Sequence, residues 1–252
     1  RSSLLPNLCK AVVKNERYFN EFSIFETAQV FRDENYTSPY DPREKLPSQR
    51  KNVAGAFATT DKDITALFRK AKGVMEMMAR YVHMEALTFR QTEKPVWADN
   101  VVWLNIYRGD EKVGDLALLA KKVSMACGIK NMNVMLFQLD QDSLVPLKSR
   151  TNTFTHLAEY PMTDYDISLL VDGSVQWKDV AQTVRGIKSE LLHGAAFVDE
   201  YRGKQVPAGK KSLTLRLAIG SKDKTLTSAE IEEVASSVLN KIAKRFGAEL
   251  RR

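Results

Sequence analysis

The sequence predicts an α+β protein of two domains, and three features of its pattern indicate this. Strand-like alternation and helix-like spacing of apolar residues are intermixed along the 252 residues, and a hydrophobic fraction of 44% can supply a core. A polar stretch with one proline, residues 146–153, separates two apolar patterns. Beyond it, the elements follow the order βαββαβ. We therefore predict one domain over residues 1–150 and a second over residues 151–252.

The first domain begins with a predicted helix over residues 2–18, which Ser2 or Ser3 can cap and whose first turn holds Pro6. A strand is predicted over 21–31, and residues 33–48, rich in proline and charge, are predicted to form a loop. The remaining elements are predicted as a strand over 53–59, a helix over 64–84, strands over 101–107 and 112–118 joined by a turn, a short helix, and a strand over 134–139.

The second domain has the clearer pattern. Its predicted elements are a strand over 166–171, a helix capped by Ser174, strands over 195–201 and 213–219, a helix beginning at a Thr227–Glu230 capping box and ending at Gly247, and an edge strand over 248–251. Two right-handed βαβ halves in this order form a four-stranded antiparallel sheet with both helices on one face. This is the ferredoxin-like arrangement.

Motifs that carry catalytic chemistry are missing from the sequence. It contains no GxxxxGK[ST] or GxGxxG phosphate cradle, no HExxH zinc motif and no GxSxG nucleophile motif. Cys9 and Cys127 are far apart in the sequence and fit neither a disulfide framework nor a CxxC zinc site, so we expect two buried thiols in a reducing cytoplasm. No apolar run approaches the ~20 residues that cross a bilayer. We expect a cytoplasmic, non-catalytic chain without a metal site, a bound cofactor or a membrane partner.

The chain starts at Arg1-Ser2-Ser3 rather than at a methionine and enters an apolar helix pattern at once. We expect it to be a piece of a longer polypeptide.

Positive charge is the one feature that suggests a partner. The net charge is +7, with +4 over residues 1–149 and +3 over 150–252, so neither part is a basic tail. Seven cations lie on the predicted sheet of the second domain and in its loops: Arg202, Lys204, Lys210, Lys211, Arg216, Lys222 and Lys224. They could contact a phosphate backbone, or they could be solvated surface charges. Arg216 is predicted on the free face of the sheet, which lacks aromatic pairs for stacking bases.

Four segments of the second domain resemble a known family. They are Asp199–Gly203, Val206–Leu213, Thr225–Thr227 and Arg245–Arg251, and they are similar in order to the ferredoxin-fold anticodon-binding domain of bacterial phenylalanyl-tRNA synthetase β subunits. The first domain resembles the preceding module of the same subunits at Arg1–Leu8, Phe25–Phe31, Lys72–Glu76 and Phe137–Asp140.

This resemblance implies a class II synthetase-like antiparallel sheet module that has lost its active site, followed by the anticodon-binding domain. It implies that ATP, Mg²⁺ and phenylalanine are handled by an α subunit, with which the β subunit forms an (αβ)₂ assembly. The implied nucleic-acid partner is the anticodon stem of phenylalanine tRNA rather than DNA. Exposed apolar positions in residues 1–150 are then expected to face the α subunit.

One segment departs from the family pattern. Members usually have a proline followed shortly by Arg-Arg-Asp at the first strand of the anticodon-binding domain, whereas this chain has Pro161-Met162-Thr163-Asp164-Tyr165-Asp166. A phosphate contact at Asp164 and Tyr165 is therefore in doubt, and Tyr165 could stack on a base instead.

Two other functions remain open: a small-molecule regulatory module, as ferredoxin-like domains can be, and a pure assembly domain.

Overall fold

A computed structural model describes residues 1–37, 45–144 and 160–251. The chain divides into two compact units, Arg1–Thr153 and Phe154–Arg252. The domain boundary that we predicted near Arg150 lies outside the described residues and stays a prediction. Both units combine helices with antiparallel sheets, which confirms the predicted α+β class.

The first unit contains three helices and six strands among its described residues. In chain order they are α1 Leu5–Asn15, β1 Glu21–Thr37, β2 Lys45–Thr59, α2 Ile64–Tyr81, β3 Thr88–Arg90, β4 Ala98–Arg108, β5 Glu111–Leu119, α3 Lys121–Cys127 and β6 Asn133–Asp140. The strands form one antiparallel sheet in the order β1-β2-β6-β5-β4-β3.

Side chains alternate between the two faces along the central strands of this sheet, and apolar residues on each face form a separate core. Ala54, Ala56 and Ala58 of β2 pack with α1 and α3 on one face, while Phe57 of the same strand packs with α2 on the other. Gly55 lies between these alanines, and a Cβ there would stand 2.4 Å from the ring of Phe137. The glycine is required because that ring fills the space above it.

The second unit contains β7 Thr163–Asp172, α4 Trp177–Arg185, β8 Leu192–Tyr201, β9 Lys210–Ile219, α5 Ser228–Phe246 and β10 Glu249–Leu250. The strand order is β10-β7-β9-β8, fully antiparallel, as the ferredoxin-like prediction requires. Apolar residues of both helices pack against one face of the sheet in a single core. No helix of the described residues covers the opposite face, which is called the free face below.

Several details differ from the predictions. The predicted loop over 33–48 is wrong at both ends, because β1 runs to Thr37 and β2 starts at Lys45; the residues between lie outside the described part. The first residues of β2 pair with β1 but lie beyond the end of β6. Pro47 is therefore in a two-stranded arm, where a missing N–H is tolerated. The strand β3 was not predicted, since three residues are too short to show alternation.

Helix ends were predicted less well than helix interiors. The N-cap of α1 is Leu4 rather than Ser2 or Ser3, and Ser3 instead accepts a hydrogen bond from the N–H of Leu5 at 3.2 Å. The N-cap of α4 is Gln176, because the side chain of Ser174 is hydrogen-bonded to Asp172. By contrast, α5 has both bonds of the predicted Thr227–Glu230 capping box, and Gly247 ends it with φ +61°.

Candidate nucleic-acid interface

The seven predicted cations do not form one patch. Arg202, Lys204, Lys210 and Lys211 lie at the end of the sheet where β8 joins β9, and Lys222 and Lys224 follow the far end of β9. Strand β9 is ten residues long, so these two groups are separated by roughly 30 Å. A single phosphate cannot contact both groups.

Arg216 lies near the middle of β9, on the helix-free face as predicted, but its guanidinium is paired with acidic side chains of β7. Its Nε and Nη2 donate to the two carboxylate oxygens of Asp166 at 2.7 and 2.8 Å, and Asp164 lies 3.8 Å away. The two strands place Asp166 directly opposite Arg216. The hydrogen bond from Arg216 lowers the pKa of Asp166, and the same bond raises the pKa of Arg216.

Glu200 at the end of β8 holds two more of the predicted cations. It accepts hydrogen bonds from Lys211 Nζ and from Arg202 Nε, both at 2.8 Å. Burial raises the pKa of Glu200, but these two bonds outweigh it and the net pKa is lowered. Lys211 is only 5% exposed and is therefore not available to a phosphate. The structure contradicts its assignment to a binding surface.

Two further cations have carboxylate partners. Lys210 lies 3.2 Å from Glu249, and Lys224 donates to Glu230, the acidic member of the capping box of α5. That bond, followed by the bonds from Thr227, lowers the pKa of Glu230 to about 2. Within the described ranges, Lys204 and Lys222 are thus the predicted cations that are exposed and have no carboxylate partner.

Tyr165 does not lie where a base could stack on the free face. It shares the side of β7 occupied by Ile167 and Leu169, and it packs partly buried against the core beneath the helices. Our suggestion that Tyr165 stacks on a base does not apply to the free face and otherwise stays a prediction. The free face carries Asp164 and Asp166 together with the occupied Arg216, which makes it poor in uncompensated positive charge.

Sequence reasoning missed a polar groove between α4 and α5. Its volume is about 1050 Å³. Its lining residues are Gln182, Thr183, Gly186, Glu233, Ser236, Ser237, Asn240, Lys241, Lys244 and Arg245. The three- and four-residue spacing from Glu233 to Lys244 marks one polar face of α5, and that signal was present in the sequence. The polar face alone does not predict a groove, because the groove also requires α4 to lie beside α5.

The cysteines are closer together than their sequence separation suggested. Cys9 of α1 is buried, and Cys127 at the end of α3 is half-buried against the same core, so only one of the two expected buried thiols is fully enclosed. Burial, followed by the neighbouring Cys127, raises the pKa of Cys9 to about 12. Both thiols are free.

No group of three or more His, Cys, Asp or Glu side chains that could hold a metal ion is found in the described ranges. Among the same residues, no helix combines the length and apolar character that crossing a bilayer demands. His83, which the predicted helix over 64–84 would contain, instead follows the end of α2 with φ +55°.

Two family models match the chain in succession. Residues 1–141, more than half of the chain, match the phenylalanyl tRNA synthetase beta chain CLM domain, and residues 158–251 match the ferredoxin-fold anticodon binding domain. The chain belongs to the phenylalanyl-tRNA synthetase beta chain family. This confirms the resemblance drawn from the sequence segments.

Curated relatives of this beta chain family align with the whole chain. Phenylalanine–tRNA ligase beta subunits of Oceanobacillus iheyensis and Syntrophotalea carbinolica are 27% and 26% identical to it, over 100% of the chain. The chain spans 31% of the length of each of these relatives. Among solved structures, a pyrrolysyl tRNA synthetase of Desulfitobacterium hafniense is similar over 57% of the chain and 48% of its own, at 17% identity and a TM-score of 0.42.

Proposed function

We propose that the chain is the tRNA-binding and subunit-assembly portion of a cytoplasmic phenylalanine–tRNA ligase β subunit. It would support the ATP-dependent charging of phenylalanine tRNA at an α-subunit active site, where ATP and Mg²⁺ bind. The observation that carries this proposal is the order of the two matches: a beta-chain CLM domain is followed by an anticodon-binding domain, on two separate compact units. The family defines this role, whereas the ferredoxin-like fold alone would not.

The proposed contribution of the second unit is positioning. Cations that neutralise phosphates fix the register and orientation of a nucleic acid without reading its sequence. Lys204 and Lys222 can do so directly, since both are exposed and free of carboxylate partners in the described part of the chain. Arg202, Lys210, Arg216 and Lys224 would first have to exchange a carboxylate for a phosphate. We therefore expect Lys204 and Lys222 to contribute most among the seven.

The test is binding of the whole chain to phenylalanine tRNA and to an unrelated tRNA at several salt concentrations. We expect the affinity to fall steeply between about 50 and 200 mM salt. Lys204→Gln/Lys222→Gln should weaken binding of both tRNAs by a similar factor and reduce the salt slope by about 2, one for each phosphate contact.

Lys10→Gln/Lys14→Gln is the matched control, because it removes two exposed lysines of α1 in the first unit. It should leave tRNA affinity unchanged. Affinity that does not vary with salt would contradict the electrostatic mechanism, and no binding to any tRNA would overturn the tRNA-binding role.

An exposed apolar stripe on α2 favours the assembly role for the first unit. Val74, Met77 and Tyr81 follow one another at three- and four-residue spacing and are 43%, 38% and 75% exposed. Their stripe adjoins the buried positions Ala71 and Met75 but is not covered by the described part of the chain. Exposed apolar residues in a contiguous row are typical of a protein contact, and we assign this one to the α subunit.

A further inference from the structure

The groove between α4 and α5 lies on the side of the second unit opposite its free sheet face. The two helices bury Val180, Val184, Val238 and Ile242 against the sheet, so their other sides face outward and enclose the groove. Every lining side chain is polar or charged, and Gly186 contributes backbone only. The groove is open and about 1050 Å³ in volume.

Positive charge is concentrated at one end of the groove. Lys241, Lys244 and Arg245 lie in the last two turns of α5, and no ion pair joins any of them to a carboxylate of the described residues. The single acidic lining residue, Glu233, lies eight residues before Lys241, about 12 Å along the helix axis. This arrangement contrasts with the sheet and its loops, where carboxylates hold five of the seven predicted cations.

Hydrogen bonds orient Lys241 and Arg245 without saturating them. Lys241 Nζ donates to the carbonyl of Gly186 at 3.3 Å, and Arg245 Nη1 donates to Thr183 Oγ1 at 3.0 Å. An ammonium has three donors and a guanidinium has five, so most donors of both groups remain for a ligand. Thr183 is itself fixed by its bond to the carbonyl of Asp179 at 2.7 Å.

The lining chemistry discriminates between kinds of anionic partner. Protein partners are held mainly by aromatic and apolar anchors in desolvated pockets, and this groove contains none. Phosphate and sugar oxygens are contacted by Lys and Arg together with Ser, Thr, Asn and Gln, which is the composition of this lining. The macrodipole of α5 favours cations near its last turn, but it does not account for the hydroxyl and amide groups beside them.

We infer that the α4–α5 groove binds the ribose–phosphate backbone of RNA without regard to base sequence. This inference rests on the proposed tRNA-binding function and adds to it a contact surface on the helix side of the second unit. Lys241 and Lys244 supply the charge, Arg245 a planar donor fork, and Ser236, Ser237 and Asn240 neutral hydrogen bonds. The groove does not depend on the loop lysines Lys204 and Lys222.

The experiment compares three variants of the whole chain with the parent, using phenylalanine tRNA and polyuridylate as probes. Lys241→Gln/Lys244→Gln should weaken binding of both RNAs, on the order of tenfold at low salt, and reduce the salt slope by about 2. Glu233→Gln, which removes the one acidic group of the lining, should strengthen binding a few-fold. Lys10→Gln/Lys14→Gln should change neither, and urea midpoints should confirm that every variant is folded.

Each outcome decides the inference. If the parent binds RNA and the groove variants bind equally well, the groove assignment is overturned while the proposed function stands. If the parent binds no RNA, both are overturned. If polyglutamate of equal charge displaces the RNA as efficiently as polyuridylate does, the surface is a general anion site and the assignment to an RNA backbone fails.

Discussion

Asn105 on β4 shows how a single buried polar side chain organises the first unit. It is fully buried, and its Oδ1 accepts hydrogen bonds from the N–H and hydroxyl of Thr92 and from the N–H of Glu93, at 2.7 to 3.0 Å. Its Nδ2 donates to the carbonyl of Glu93 at 2.7 Å and to Asp115 at 2.6 Å. The amide of Asn105 thus pairs with the polar groups of the turn before β4 and connects that turn to β5.

Replacement of this amide should be costly. Asn105→Ala leaves several part-buried backbone and side-chain groups of its neighbours without partners, and we expect a loss of about 3 kcal/mol in the free energy of unfolding. Asn100→Ala, an exposed position on the same strand, should cost less than about 0.5 kcal/mol. Urea denaturation with matched m-values measures both, and similar losses for the two variants would contradict the role of the buried amide.

At the scale of the element, α5 is defined by local signals at both ends. The N–H of Thr227 donates to Glu230 at 2.8 Å, the N–H of Glu230 donates back to the Thr227 hydroxyl, and Gly247 takes the left-handed conformation that ends the helix. Lys224 adds a hydrogen bond to the same carboxylate. The capping box and the Gly247 end each join residues no more than four positions apart, so local pattern sufficed to predict them, whereas the bond from Lys224 was not predicted.

The lowered pKa of Glu230 predicts a specific dependence of stability on pH. Because its pKa falls from 4.5 to about 2 on folding, its contribution is fully present above pH 4.5 and is lost as the pH falls toward 2. The difference in urea midpoint between the parent and Glu230→Gln should therefore be largest near neutral pH and vanish near pH 2. Glu232→Gln, at an exposed position of the same helix, is the control. A difference independent of pH would contradict the charge-based bonding.

Thr227→Ala tests the other half of the capping box. It removes the hydroxyl that accepts from the N–H of Glu230, and such losses cost about 1 kcal/mol.

At the scale of the whole molecule, the two units have separate cores and, in our proposal, separate tasks. The cores of the first unit lie on the two faces of its sheet, and that of the second lies under α4 and α5. The net positive charge is shared almost evenly between the two parts, so charge alone does not assign the tasks. We assign the tasks from surface chemistry instead, because the first unit exposes an apolar helical stripe and the second exposes a polar, cation-lined groove.

This division predicts that the two tasks can be removed independently. Met77→Gln/Tyr81→Gln should abolish co-purification with a co-expressed α subunit and leave tRNA affinity unchanged, because it alters only the exposed apolar stripe of α2. Lys204→Gln/Lys222→Gln should weaken tRNA binding and leave co-purification with the α subunit unchanged. Arg69→Gln/Arg80→Gln, at exposed polar positions of α2, is the control for the helix surface. Loss of both activities in either variant would show that the tasks are not separable.

Features that depend on nearby residues could be predicted from the sequence alone. The spacing of apolar residues predicted the interiors of α2 and α5 and most of the strands. The order of the elements predicted the ferredoxin-like sheet. Short matched segments were enough to identify the family. These features depend on residues a few positions apart, whose geometry is set by the backbone itself.

Which charged side chains are available to a partner could not be predicted, because it depends on contacts between distant parts of the chain. Arg216 and Asp166 are 50 residues apart in sequence, and Lys210 and Glu249 are 39 apart, yet strand register and packing bring each pair into contact. The same is true of the α4–α5 groove, which exists because two distant helices lie side by side on one sheet. Electrostatic and groove chemistry depends on distances in space, and those distances are fixed only when non-local strands and helices come together.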